Sequence, residues 1–278
     1  MRRSFRSRAR ATSLAILGML VGIAAIGVAH DMFLKPSAYF VAPNATIPSE
    51  LLNGTFDLSS NSIDRNRIAD ISVIGPSGRT RIDTTQWQAT GDTSRVTFRA
   101  GAGGTYVMGV STKANNIELD AADFNEYLKE DGIPDEIARR AQAGETNADA
   151  KERYAKHVKT IVQVGDTPSE GFATALGYPA EIVPVDNPYA ARRGGSLRFR
   201  LLVDGKAVPN QYLIYGARTA NGGKVADQGL RSNAEGIVTI PVSSPGVWFA
   251  KFINMRRVNG PDGVTHVSQW ASLTFATR

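Results

Sequence analysis

The chain has 278 residues, 32 lysines and arginines against 26 acidic residues, three histidines and no cysteine. The absence of cysteine excludes a thiol nucleophile, a thiolate metal site and a disulfide framework, so burial alone must hold the fold. Residues 1–29 carry five arginines and no acid, so the net charge of +6 falls to +1 without them, and nothing basic then points to nucleic acid or anionic lipid as a partner.

Those first residues begin MRRSFRSRAR and continue as an apolar run from Leu14 to Ala29. A basic start, an apolar middle and small residues at Gly27 and Ala29 describe a secretory signal peptide cut before His30. Arg2 and Arg3 also fit a twin-arginine export signal, and an uncleaved anchor is the rival, since the run nearly spans a bilayer. Its glycines, Gly18, Gly22 and Gly27, favour cleavage.

From residue 30 onward the pattern is of strands and turns. Phe33-Leu34 and Tyr39-Phe40-Val41 are short apolar pieces broken by Pro36 and Pro43, as at a sheet edge. Ile68–Ile74, the turn Gly75-Pro-Ser-Gly78 and Arg79–Ile82 read as strand, turn and strand. Arg95–Arg99 and Thr105–Val110 continue a meander around a glycine-rich turn. Asp120 then caps a helix whose Phe124, Tyr127 and Leu128 share one face, and Gly132 ends it. Pro134 opens a second helix closed by Gly144, and the charged stretch from Thr146 to about Lys156 reads as a third. Residues 120–157 are therefore expected as a helical insertion in a first β domain of residues 30–167.

A second β domain is expected over 176–278. Ala180–Val185, Ser196–Val203, Gly236–Ile240, Val247–Phe252 and Val264–Phe275 are its strands, and Asp204-Gly205 is its clearest hairpin turn. This spacing suggests an immunoglobulin-like or transthyretin-like sandwich. The whole is all-β, two sandwich-like domains with a helical insertion in the first.

No Walker loop, dinucleotide fingerprint, zinc-protease motif or nucleophile elbow is present. Of the three tryptophans, Trp248 and Trp270 in the C-terminal strands read as core, and Trp87, flanked by polar residues, is the candidate for an exposed ring. The histidines carry the chemistry. Cleavage after Ala29 would make His30 the first residue, and its free α-amine and imidazole Nδ1 could chelate one ion in a single ring. Cleavage after Gly27 would place His30 third from a free amine, which also makes a nitrogen-rich site. Nitrogen donors of this kind suit Cu(II) or Ni(II). Asp31 could add an oxygen or cap a turn. His266 and His157 are the remaining histidine donors, although each also reads as an ordinary polar residue, His157 where a charged helix meets a strand and His266 near a turn.

The segments AHDMFLKPS (29–37), KTIVQVG (159–165), YPAEIVPVDNPY (178–189), VDGKAVPNQYLIYG (203–216) and GVWFAKF (246–252) occur in that order. Together they resemble an exported bacterial family of unknown function, often described as periplasmic components linked to nickel or cobalt uptake. The resemblance implies a two-part periplasmic β protein that begins His-Asp-aromatic-Leu-x-Pro. His30 and Asp31 match that start, and the sequence departs from it by carrying Met32 before Phe33. Glu181, Pro184 and Pro188 match an inter-domain segment and are expected to be structural. The expected role is non-catalytic: binding a divalent transition metal (nickel, cobalt or copper) for delivery to a membrane transporter. Two other classes stay open, a copper-dependent oxidase with an N-terminal histidine brace acting on polysaccharide, and a metal-free structural or adhesion module.

Overall fold

The computed structural model describes residues 30–167 and 169–278, so the signal peptide and cleavage point expected from the sequence lie outside the described residues. In chain order the strands are β1 (Asp31–Pro36), β2 (Phe40–Val41), β3 (Thr46–Gly54), β4 (Ile68–Gly75), β5 (Gly78–Arg81), β6 (Gln88–Thr90), β7 (Thr93–Arg99), β8 (Gly104–Thr112) and β9 (Asn115–Leu119). Helices α1 (Ala121–Glu130) and α2 (Pro134–Gln142) follow, and then β10 (Ala150–Val164), β11 (Ala180–Pro184), β12 (Ser196–Val203) and β13 (Lys206–Ala207). The chain closes with β14 (Tyr212–Thr219), β15 (Lys224–Arg231), β16 (Ile237–Pro241), β17 (Gly246–Arg257) and β18 (His266–Thr277). The fold is thus all-β and sandwich-like with a helical insertion.

Ten strands form a central sheet in the order β15-β14-β17-β18-β10-β8-β4-β5, with β2 and β9 also paired to β10. Two smaller sheets, β1-β3-β7-β6 and the β11, β12, β13 and β16 group, cover it. Alternation along β10 shows how. Val158, Val162 and Val164 pack with Met32, Leu34 and Ile47 of the first small sheet. Ile161, of opposite parity, packs with Ile182, Leu197 and Phe199 of the second. Successive strand residues face opposite sides, so the two small sheets lie on opposite faces of one shared sheet. The sequence pattern marks two sandwiches, and the structure shows that β10 and β18 join them, parallel over nine residue pairs from Glu152↔His266 to Thr160↔Thr274.

The helices sit beside β1 on the same face. Asp120 caps α1 by accepting from the Asp123 N–H at 2.9 Å, and Phe124, Tyr127 and Leu128 are its buried face. Gly132, at φ +71°, turns the chain where a side chain would meet Ile214. α1 and the Ile133 that follows it pack on Ile253 and Trp270. The third helix expected from Thr146 to about Lys156 is instead the start of β10. Its charges follow a period of two rather than a helical face: Glu152 and Lys156 point inward and are buried, while Arg153 is exposed. Trp87 is likewise buried, its indole N–H donating to the Ile63 carbonyl at 2.8 Å, since an amphipathic ring flanked by polar residues can still turn inward when its one donor finds a partner. Among the described residues no helix is long and apolar enough to cross a membrane.

Candidate metal site at the amino terminus

β1 lays its start against the central sheet, at the seam between the first small sheet and the helices. Its ladder to β3 begins at Asp31↔Gly54, so His30 stands one residue outside the pairing. The Ser272 hydroxyl donates to the Met32 carbonyl at 2.6 Å, and the Thr274 hydroxyl donates to that of Leu34 at 2.6 Å. The first strand is thereby stitched to the last.

Two lysines rise from the sheet beneath this start. Lys156 of β10, almost wholly buried, donates to the His30 carbonyl oxygen. Its ammonium also lies 3.4 Å from Asn53 Oδ1 and 4.6 Å from the centre of the Trp270 ring. Lys251 of β17 pairs with Asp31 Oδ2 at 2.5 Å and reaches Asp131 Oδ1, at the end of α1, at 3.4 Å. A void of about 10 Å³ lies among Asp31, Lys156, Lys251, Trp270 and Ser272, room for about one water molecule. Deeper under α1, Glu152 accepts from the Tyr127 hydroxyl at 3.2 Å and from Ser268, while its Oε2 has no partner.

Burial sets the charge states here. It lowers the His30 pKa, and the neighbouring Lys156 charge lowers it further against an opposing pull from Asp31. The imidazole is therefore neutral at neutral pH, as a metal donor must be. Burial also pulls the Lys156 ammonium down and pushes the Glu152 carboxyl up to about 7. Asp131 is raised because its burial outweighs the attraction of Lys251. For Lys251 itself, Asp31 and Asp131 outweigh burial and hold its pKa above the ordinary lysine value.

The sequence-derived donors are spread over the fold. His30 and Asp31 sit together at this seam, the carboxylate of Asp31 engaged by Lys251. His157 follows Lys156 in β10 and so faces the other side of the sheet. There it is buried, with Nδ1 at 2.9 Å from the Ser111 hydroxyl and Nε2 at 2.8 Å from Gln269 Oε1, and burial lowers its pKa. His266 shares the face of Trp270, yet four residues of strand separate them, about 13 Å. It is buried under α2, with Nε2 at 2.9 Å from Glu136 Oε1 and Nδ1 at 2.8 Å from the Thr265 hydroxyl. Neither is the exposed or loop-side residue that its neighbours in sequence suggest. Among the described residues no three histidine, aspartate or glutamate side chains gather as a metal cluster.

The two lysines are the site residues that a search for ligands passes over. Lys251 interrupts the otherwise apolar Trp248–Ile253, and a charge inside a strand that is buried on both faces signals a paired, purposeful position. Glu181 of β11 is structural in the same manner: buried, it pairs with Lys159 at 2.6 Å and accepts from the N–H groups of Leu176, Gly177 and Tyr178 at 2.9, 2.6 and 2.8 Å.

No curated protein matches this chain. Among solved structures it is similar to trypsin-activated alpha-2-macroglobulin from Escherichia coli, at 11% identity and a TM-score of 0.22, over 90% of this chain and 16% of that one. It is also similar to the BSP domain of a biofilm associated protein, at 10% identity and a TM-score of 0.20, over 88% of this chain and 30% of that one. The chain thus spans less than a third of either. A family model described as a domain of unknown function (DUF4198) matches residues 28–256, from two residues ahead of His30 through most of β17, and the chain belongs to that family.

Proposed function

We propose that the exported protein, cut before His30, binds one transition-metal ion (nickel, cobalt or copper) at its new amino terminus and hands it to a membrane transporter. The observation that carries this is the setting of His30: its backbone is fixed by a buried lysine while its imidazole is only partly buried and is held neutral. The α-amine and Nδ1 of one residue close a chelate ring without help from a second histidine. Two protein donors leave the other positions of the ion open, which suits a cargo that must be released more than a resident cofactor. The family match beginning at residue 28 fits a domain that starts where the leader ends. A histidine brace for oxygen chemistry would need a further imidazole beside His30, and His157 and His266 are committed to Ser111, Gln269, Thr265 and Glu136.

Calorimetric titration of protein beginning at His30 with Cu(II) and Ni(II) tests this. One ion per chain is expected, with binding lost in His30→Ala and in a chain extended by a single alanine before His30. Both donors must be unprotonated to bind, so affinity should weaken as pH falls. Equal binding by the parent and the His30→Ala chain would end the proposal.

A further inference from the structure

His30 lies outside the β1 ladder, so no strand partner fixes it. Its carbonyl is held by the ammonium of Lys156, which reaches it across 126 residues of sequence. That ammonium is aimed from three sides: by the carbonyl itself, by Asn53 Oδ1 and by the face of Trp270. Asn53 is set in turn by its amide N–H donating to Asn61 Oδ1 at 2.8 Å. The carbonyl, the α-amine and the imidazole all hang on one Cα. Holding the first therefore decides where the other two point.

We infer that Lys156 is the positioning residue of the amino-terminal metal site. This rests on the function proposed above. The lysine orders the chelate through the His30 carbonyl and touches no ion itself. The assignment has an unusual sign. A buried positive charge beside a cation site opposes the cation by simple electrostatics, so a lysine that acted by charge alone would weaken binding, and its removal would strengthen it. A lysine that acts by holding the backbone does the opposite. Removing it frees the first residue to fray, and the ion must then order the terminus at its own cost.

Lys251 provides the matched control. It belongs to the same buried group and carries the same charge, but its partners are the Asp31 and Asp131 carboxylates rather than the His30 backbone. Lys156→Met should bind Cu(II) about tenfold more weakly than the parent, as loss of an outer-sphere support does elsewhere. The electron paramagnetic resonance spectrum of its Cu(II) form should broaden into several species. Lys251→Met, with two carboxylates left uncompensated, should bind as tightly as the parent or more tightly. Lys156→Arg, which keeps a long cationic donor at the position, should restore a single copper species. Thermal melts of each apoprotein come first. Should Lys156→Met not fold, the Arg variant and Lys251→Met against the parent still decide the point. Tighter copper binding by Lys156→Met, or an unchanged spectrum and affinity, would overturn the inference while leaving the His30 chelate standing. Loss of binding in the parent itself would instead remove the function on which it rests. A Lys156→Arg chain that folds but shows mixed copper species, or a Lys251→Met chain that binds as weakly as Lys156→Met, would also count against a positioning role.

Discussion

Glu181→Ala should lower stability by about 3–5 kcal/mol, the usual cost of stranding one partner of a buried ion pair. Lys159 and Glu181 are each at most 2% exposed and meet at 2.6 Å. Burial pulls the Lys159 pKa down, and Glu181 is the partner that opposes this. Taking the carboxylate away leaves an ammonium in the core and deprives three backbone N–H groups of their acceptor. Those groups belong to residues 176–178, the segment that carries the chain onto the second small sheet. The midpoint of thermal unfolding should fall by roughly 10 °C for a chain of this size. Lys159→Met combined with Glu181→Leu should recover only the part of the loss due to the stranded ammonium, because apolar groups of similar size leave no charge unpaired while the three N–H groups still lack their acceptor. Urea unfolding of the single and double variants measures both effects. A Glu181→Ala chain within about 1 kcal/mol of the parent would show that the pair contributes little.

Glu152→Gln should change the pH dependence of stability. Burial raises the Glu152 carboxyl from 4.5 to about 7, against the downward pull of its bonds to Ser268 and Tyr127. Between those two values the folded chain keeps a proton that the unfolded chain has released, so the unfolded state binds fewer protons and stability falls as pH rises. The group costs nothing below about pH 4.5, and its full penalty is present above about pH 7, where it amounts to about 3 kcal/mol. Glutamine keeps the acceptor oxygen and never ionises. Denaturant unfolding of both proteins at pH 5 and pH 8 should show the variant gaining on the parent at pH 8 relative to pH 5, by an amount of that order. Other titrating groups are common to both chains and drop out of the comparison, apart from Lys156, whose ammonium also feels the Glu152 charge. A difference between the two proteins that does not change with pH would mean that Glu152 is ionised in the fold at both.

What the amino acids reveal without the structure is chiefly local. The Asp204-Gly205 hairpin shows in both positive φ angles, 49° and 72°, and the helices begin and end where Asp120, Gly132 and Pro134 place them. The misjudged places depend on distant partners. Lys156 and Glu152 look like the polar face of a helix until His30, Tyr127 and Ser268 are brought to them from 25 to 126 residues away. His157 and His266 look solvated because Gln269 and Glu136, their partners, are 112 and 130 residues off. The sharing of one sheet by both sandwiches has the same cause. The β10–β18 pairing is parallel, no turn announces it, and everything between residues 164 and 266 separates the two strands. The chelate proposed for His30 stands apart from these, since it draws on that residue's own backbone and ring and asks for no distant partner.

The stitching of β1 to β18 imposes an order of events on the newborn protein. The hydroxyls that hold the Met32 and Leu34 carbonyls arrive 240 residues later, and β10 waits for its parallel neighbour until residues 266–274 are made. A polypeptide that emerges amino end first, from a ribosome or through a narrow channel, therefore cannot finish its first sandwich until nearly its last residue is free. Meanwhile an edge of β10 and its Ile161 face, which awaits Ile182, Leu197 and Phe199, stay open to other chains. Such long-range closure makes folding slow, and it gives holding chaperones a long interval in which to act. A chain shorter by a dozen residues would lose β18 from the middle of the central sheet, and with it both hydroxyls that hold the first strand in place.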